Sequence, residues 1–201
     1  MSLATHLKTQ TKPAHIRVEK ARLLKGIFSP CFGMDDYAEL LARWFGFFSV
    51  IDSSLQDFHF QQYRYYPRAI PLERDIKSLG LDMDDAEMPA YTGWRPVTHL
   101  EKLGCVYVIE GSALGAKIIT RRLLSTLGES VRGSMAFYQM QPYAWDLFRS
   151  WLDEQSQHYP NDQQLVIDAA KSTFHAIHDH MNELAGNCNP GMSEFLANRQ
   201  T

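Results

Sequence analysis

The sequence of 201 residues has few cysteines, and none of the three is placed to work with another. Cys31, Cys105 and Cys188 lie far apart, and the chain contains no Cys-x-x-Cys pair. A structural zinc site, a thioredoxin-like redox motif and a disulfide framework are therefore not expected. Reduced thiols are typical of cytoplasmic proteins, and we predict that location here.

Long apolar runs and a strong charge of either sign are also missing. No stretch approaches the roughly 18 uninterrupted apolar residues that a membrane span needs, and the first residues lack the pattern of a secretory signal. The formal net charge of -3 gives no reason to expect general binding to nucleic acids or anionic membranes. Residues 1–25 carry six basic side chains against Glu19 alone, so a transit peptide remains an alternative to an amphipathic first helix.

Alternating, strand-like runs are scarce, and helical spacing of apolar residues dominates the chain. The predicted helices run from Asp35 to about Phe60, through Leu72 to Gly80, from Thr98 to Leu127, from near Pro142 to before Pro160, and from after Asn161 to about Leu184. Asp35 or Asp36 is expected to cap the first of these helices, Glu101 completes a capping box with Thr98, and residues 82–97 form a loop. We therefore predict one all-α domain over residues 1–201, with six to eight helices around one core and a frayed tail after about residue 186.

The first segment that suggests chemistry surrounds His15. Pro13 fits the first turn of a helix or a kink, and Thr11 can cap that turn. His15 and Glu19 are four residues apart, so their side chains share one helix face. A histidine that binds a metal usually donates its second ring N–H to such a carboxylate, although a solvated surface pair has the same spacing.

The second segment is the helix from Thr98, which contains Gly104, Gly111 and Gly115. Each glycine inside a helix costs about 0.8–1 kcal/mol relative to alanine. Gly111 and Gly115 lie one turn apart, where the missing side chains admit either a closely packed helix or a planar ligand, and allow a bend beside Ser112. Combined with a metal-binding His15, this face is consistent with haem between two helices.

The two segments together resemble the bacterial, biliverdin-producing haem oxygenases. Residues 11–19 (Thr-Lys-Pro-Ala-His-Ile-Arg-Val-Glu) are similar to the proximal-helix pattern of that family, and residues 107–116 (Tyr-Val-Ile-Glu-Gly-Ser-Ala-Leu-Gly-Ala) to its distal-helix pattern. Weaker similarity follows around Arg149 and from Ala170 to Leu184, so the resemblance spans about residues 3–184. It implies a multi-helical bundle with haem between a proximal helix and a kinked distal helix.

The resemblance implies a role for each matching residue. It makes His15 the iron ligand and Glu19 the carboxylate that supports it. It places Gly111 and Gly115 over the haem. The implied haem contacts also include two basic residues that pair with the propionates and one aromatic residue of the pocket: Lys8, Arg149 and Phe174. Ser112 stands where animal enzymes have an aspartate that organises water, so backbone carbonyls and ordered water must carry more of the proton delivery.

The implied reaction uses haem as both cofactor and substrate, and converts it with O2 and external electrons to biliverdin, carbon monoxide and ferrous iron. A ferredoxin or a flavin reductase is the expected electron donor, and the basic residues 1–25 are a candidate docking surface for it. A phytochrome is a candidate acceptor of the biliverdin, and a monomer is expected.

Other functions remain open from the sequence. A haem carrier or sensor needs the same His15, and a thiaminase-like bundle needs a nucleophilic cysteine, for which Cys105 near Glu110 is the candidate. A di-iron bundle needs Glu-x-x-His pairs, which the sequence lacks. The group His175, His178, Asp179 and His180 either forms a metal site or a polar helix face, and we attribute the dense tyrosines at positions 63, 65 and 66 to ordinary packing.

Overall fold

A computed structural model shows the protein as a helical bundle and describes residues 2–60, 63–81, 88–140, 145–157 and 159–183. The helices within these residues are α1 (Leu3–Glu19), α2 (Arg22–Gly26), α3 (Met34–Leu55), α4 (Ala69–Ser78), α5 (His99–Ser112), α6 (Ala116–Leu127), α7 (Trp145–Gln155) and α8 (Gln163–Asn182). Two short 3-10 helices, Ala113–Gly115 and Glu129–Ser134, follow α5 and α6. The only strands in the described part are β1 (His59–Phe60) and β2 (Tyr63–Arg64), which pair antiparallel. The all-α prediction is confirmed.

Helix α8 lies at the centre of the bundle and packs most extensively on α5 and α1. Helix α5 is buried continuously from Leu103 to Glu110. At Gly104 the two helices touch directly, because an added Cβ would fall on the carbonyl oxygen of Val166 and 2.9 Å from the amide nitrogen of Ala170. Gly104 is therefore the glycine that permits close helix packing.

Helices α1, α5 and α8 run in the same direction from a common end of the bundle. Leu3, Leu100 and Gln163, near the start of each helix, line one small cavity. Further along, Tyr107 on α5 lies close enough to Thr11 on α1 for the threonine to lower the pKa of the tyrosine. With a rise of 1.5 Å per residue, positions 15 and 112 both lie about 18 Å beyond the common end. The fold therefore brings the two segments that the sequence singled out to the same level.

The long helix α3 begins one residue earlier and ends five residues earlier than predicted. Asp36 accepts a hydrogen bond from the amide of Gly33 at 2.8 Å and so caps the helix start. The helix ends at Leu55, and the polypeptide then enters the short strand pair. The predicted capping box of α5 is confirmed, since Thr98 accepts from the amide of Glu101, and Glu101 accepts from the amide of Thr98.

The predicted start of the first helix was wrong. Ser2 is the N-cap of α1, and Thr11 and Pro13 lie inside the helix. Thr11 is buried and its hydroxyl donates to the carbonyl of Leu7 at 2.7 Å. Proline lacks an N–H and removes one helical hydrogen bond, but burial of apolar residues such as Leu7 against the bundle carries the helix through this position.

The stretch His99–Leu127 is long and apolar enough to cross a membrane by length and composition, but 44% of its most apolar window is buried inside the protein. Its first half, α5, packs against α8 and belongs to the core. Its last residue is Leu127, as predicted, and Gly128 follows with φ 74°. The predicted helix start near Pro142, part of the 82–97 loop, the helix end near Leu184, the tail and Cys188 lie outside the described residues.

Candidate functional site

His15 presents an available imidazole on the surface of α1. Its side chain is 56% exposed, and Nδ1 lies 3.6 Å from Oε1 of Glu19, just beyond hydrogen-bond distance. The ring lies edge-on to Phe174 of α8, with the centroids 5.5 Å apart. Among the described residues His15 has no hydrogen-bond partner at Nε2, so this nitrogen is free to bind a metal.

The basic residues of the predicted site lie on two helices near the Thr11–Tyr107 contact. Lys8 is exposed on α1, seven residues before His15 and hence on the same helix face. Arg149 on α7 lies close enough to Tyr107 for its positive charge to oppose the effect of burial, which raises the pKa of that tyrosine. Arg149 therefore lies near α5, while Lys8 shares the exposed face of α1 that carries His15.

The distal glycines differ in what surrounds them. The helix is interrupted by the 3-10 segment Ala113–Gly115, which lies between α5 and α6. No atom of the described residues lies within 4 Å of a Cβ added at Gly115, whereas a Cβ at Gly111 would lie 3.3 Å from the indole of Trp145. Ser112 donates from its hydroxyl to the carbonyl of Ile109 at 2.7 Å, a hydrogen bond within the last turn of α5, just before the 3-10 segment.

Trp145 shows what the glycine face accommodates. Its indole lies on Gly111, is tilted against Tyr107 at 5.6 Å, and stacks on Phe148 at 5.8 Å between centroids. A flat aromatic ring therefore already rests where the main chain lacks a side chain. The free imidazole of His15, the glycine face at the same level and the flanking cations fit the requirements of a haem, whose porphyrin would compete with Trp145 for this place.

A buried polar cluster lies beside the glycine face and was missed by the sequence analysis. The carboxylate of Glu110, which precedes Gly111, accepts from the hydroxyl of Tyr63 at 2.6 Å and from Arg68 at 2.5 Å. Burial and the nearby Glu110 charge raise the pKa of Tyr63, so this phenol remains a donor. The signal in the sequence was the charged residue at position 110 within an otherwise apolar run.

A second buried carboxylate, that of Asp52, lies near Arg68. Asp52 accepts from the hydroxyl of Tyr65 at 2.6 Å and from the amide of Ala69 at 2.8 Å, so both of its oxygens are bonded. Burial raises the pKa of Asp52. Two of the three clustered tyrosines thus serve as donors to buried carboxylates, and only Tyr66 is largely exposed. Our attribution of these tyrosines to packing alone was incomplete.

The structure argues against two of the alternative chemistries. Cys105 is fully buried, and burial raises the pKa of its thiol to about 12. A thiol in this environment is not the nucleophile that a thiaminase-like reaction needs. The histidine group on α8 is not arranged as a metal site either. His180 is buried and bonds the carbonyl of Arg43, and the described residues contain no group of three or more His, Cys, Asp or Glu that could hold a metal ion.

Comparisons with known proteins show the family to which this chain belongs. The family model described as "Heme oxygenase" matches residues 1–183. A protein named "Heme oxygenase" from Xanthomonas campestris pv. campestris (strain 8004) is 25% identical over 130 residues, which is 61% of this chain and 75% of that protein. The solved structure of heme oxygenase from Leptospira interrogans superposes with a TM-score of 0.63 at 17% identity, over 92% of this chain and 100% of that one. That last likeness shows the fold alone. Because the family match spans both helices of the site and almost the whole of the bundle, the chain belongs to the heme oxygenase family.

Proposed function

We propose that this protein opens the haem ring oxidatively and releases biliverdin, carbon monoxide and ferrous iron. Family membership makes the protein a haem-degrading oxidoreductase with haem as its substrate. The observation that carries the assignment of the site is the common level of His15 and the glycine face. His15 on α1 and the glycine face at Gly111 lie about equally far along two parallel helices. This arrangement suits a planar group held between the helices.

His15 would be the iron ligand and Glu19 the group that orients it. The Nδ1–Oε1 distance of 3.6 Å needs only a small rotamer change to become a hydrogen bond. Such a bond directs Nε2 towards the metal and makes the imidazole a stronger ligand. Phe174 packs edge-on against the imidazole and would limit its rotation.

Lys8 and Arg149 would fix the orientation of the haem in the plane. Each is exposed at the edge of the proposed site, where it can pair with a propionate while keeping contact with water. The guanidinium of Arg149 suits bidentate pairing with a carboxylate. Its weak contact with Asp146, at 3.9 Å, would be exchanged for the propionate at little cost because both groups are exposed.

Gly111, Ser112 and Gly115 would form the distal side. Without Cβ atoms the backbone at positions 111 and 115 can approach the porphyrin, and the 3-10 turn between them allows small changes in the bend. The hydroxyl of Ser112 is engaged with the carbonyl of Ile109, so it keeps the bend in place. Bound haem supplies the O2 and redox chemistry, while these residues restrict space and exclude bulk water.

The electrons would come from an external donor, with a ferredoxin or a flavin reductase as candidates. The exposed basic side chains of α1, such as Lys12 and Lys20, remain available for docking. Arg22 is committed to an ion pair with Glu39, so charge reversal at Lys12 and Lys20 is the better test of this surface. We propose a cytoplasmic monomer, with biliverdin passed on to a partner such as a phytochrome.

The experiment that tests this function compares the wild type with His15→Ala after addition of hemin. We expect a histidine-ligated ferric spectrum only in the wild type, and conversion of its Soret band to a biliverdin spectrum when ascorbate is added. A wild type that binds haem and keeps it intact would instead identify a carrier or sensor. The His15→Ala variant should retain its fold, because the replaced side chain is exposed.

A further inference from the structure

One oxygen of the buried cluster is without a partner. The side chain of Glu110 is 2% exposed. Its Oε1 accepts two hydrogen bonds, from Tyr63 and Arg68, while none of the described residues donates to Oε2. An unsatisfied buried acceptor costs about 1–3 kcal/mol, and more when it is charged. Native proteins usually remove this cost with an ordered water molecule.

The position of Oε2 in the fold links it to the proposed distal side. Glu110 directly precedes Gly111, so its side chain leaves α5 about 100° around the helix from the glycine face. Tyr63 packs on Phe148, with 6.4 Å between the ring centroids, and Phe148 stacks on the indole that rests on Gly111. The cluster therefore lies next to the place where the proposed function puts the distal side of the haem.

We propose that Glu110 is a positioning residue that holds a buried water at Oε2 and directs its second hydrogen towards the glycine face. This inference rests on the proposed function. Two-electron reduction of O2 takes up two protons, and Ser112 supplies no carboxylate for their delivery. The water passes a proton towards the distal side and regains one from solvent through exchange. Arg68 and Tyr63 remain bonded to Oε1 throughout.

Asp52 provides a matched control within the same cluster. It is also a buried carboxylate beside Arg68, but both of its oxygens have protein donors. Asp52→Asn and Glu110→Gln each remove one negative charge from around the same guanidinium. Asp52→Asn therefore controls for the loss of a buried negative charge. Glu110→Gln also weakens the direct ion pair with Arg68, so the second test below uses two ways of driving the reaction to separate the water from that ion pair.

The first test is a high-resolution crystal structure of the haem-free wild type. We expect an ordered water within hydrogen-bond distance of Oε2, and its absence would overturn the proposal. This result does not depend on turnover, so it separates this inference from the proposed function. A wild type that fails to open the haem ring would refute the proposed function while leaving the water at Oε2 in place.

The second test compares two ways of driving ring opening. With O2 and ascorbate, Glu110→Gln should lower the rate about tenfold, an effect typical of losing an outer-shell partner, and release more hydrogen peroxide per biliverdin. With added hydrogen peroxide, which already carries the two protons, the wild type and Glu110→Gln should open the haem ring at similar rates. Equal losses under both conditions, or an equal loss in Asp52→Asn, would show that Glu110 is only structural.

Discussion

Replacing Gly115 by alanine should make the haem-free protein more stable, but it should weaken haem binding and ring opening. Within the part of the chain that the structure describes, no atom lies within 4 Å of an added Cβ at this position, and the backbone, at φ -79° and ψ -15°, suits any L-residue. Gly→Ala changes at such sites stabilise by about 0.4–1 kcal/mol. For a domain of this size, 1 kcal/mol moves Tm by about 2–4 °C, so we expect a rise of about 1–4 °C.

The functional loss follows from the same open space. If the porphyrin lies against Gly115, the new methyl group occupies part of its volume, and overpacking of this kind costs about 1–3 kcal/mol. Calorimetry of the haem-free protein measures the stability, and hemin titration with ascorbate-driven ring opening measures the function. A lower Tm, or unchanged haem affinity together with unchanged ring opening, would refute the reasoning.

Gly104→Ala is the matched control, since the same change is made on the same long helical stretch. The added Cβ would meet the carbonyl oxygen of Val166 and lie 2.8 Å from Cβ of Ala169. Overpacking costs about 1–3 kcal/mol, and the higher helix propensity of alanine offsets at most about 1 kcal/mol of this cost. We therefore expect a net destabilisation of about 1–2 kcal/mol and a lower Tm, in contrast to Gly115→Ala.

Three further predictions concern buried groups. Asp75→Ala should destabilise by about 1–3 kcal/mol in denaturant unfolding, because the carboxylate accepts from the partly buried amides of Ala136 and Phe137, and each of these bonds contributes about 0.5–1.5 kcal/mol; a loss below about 0.5 kcal/mol would contradict this. In the native protein at pH 8, iodoacetamide should label the exposed Cys31 and should not label Cys105, because burial raises the pKa of the Cys105 thiol to about 12. Mass spectrometry measures the labelling, and a labelled Cys105 would contradict this prediction. Burial, together with a nearby arginine, lowers the pKa of His180 in the folded protein. As the pH falls below about 6.5, the unfolded protein therefore binds a proton at His180 before the folded protein does, and the folded state loses stability. Unfolding experiments should show this loss in the wild type and a smaller one in His180→Asn, and an equal dependence of stability on pH in both proteins would argue against the reasoning.

Local rules recovered most of the helices. The capping box Thr98–Glu101 and the helix ends before Gly80 and Gly128 are consequences of nearest-neighbour chemistry, and the structure has them where the sequence predicts them. The same rules failed at Thr11. A threonine before a proline is a good helix start in isolation, but burial of residues on both sides of it against the bundle extends α1 back to Ser2.

The buried cluster could not be predicted, because its members are distant in the sequence. Tyr63 and Glu110 are 47 residues apart, and Arg68 comes from the turn before α4. Hydrophobic spacing shows that a helix is buried, but it does not show which polar groups meet inside the core. The donors that make a buried carboxylate tolerable become visible only when the strand pair is placed against α5.

The sequence by itself determined the helical class, the helix ends set by caps, and the two segments that carry the resemblance. It did not determine what each glycine does. Gly104, Gly111 and Gly115 are spaced by seven and four residues and so share a face by periodicity alone. Only their neighbours separate them: α8 packs on Gly104, an indole packs on Gly111, and none of the described residues packs on Gly115. Helical spacing fixes a direction from the helix axis, but the neighbour found in that direction depends on the whole fold.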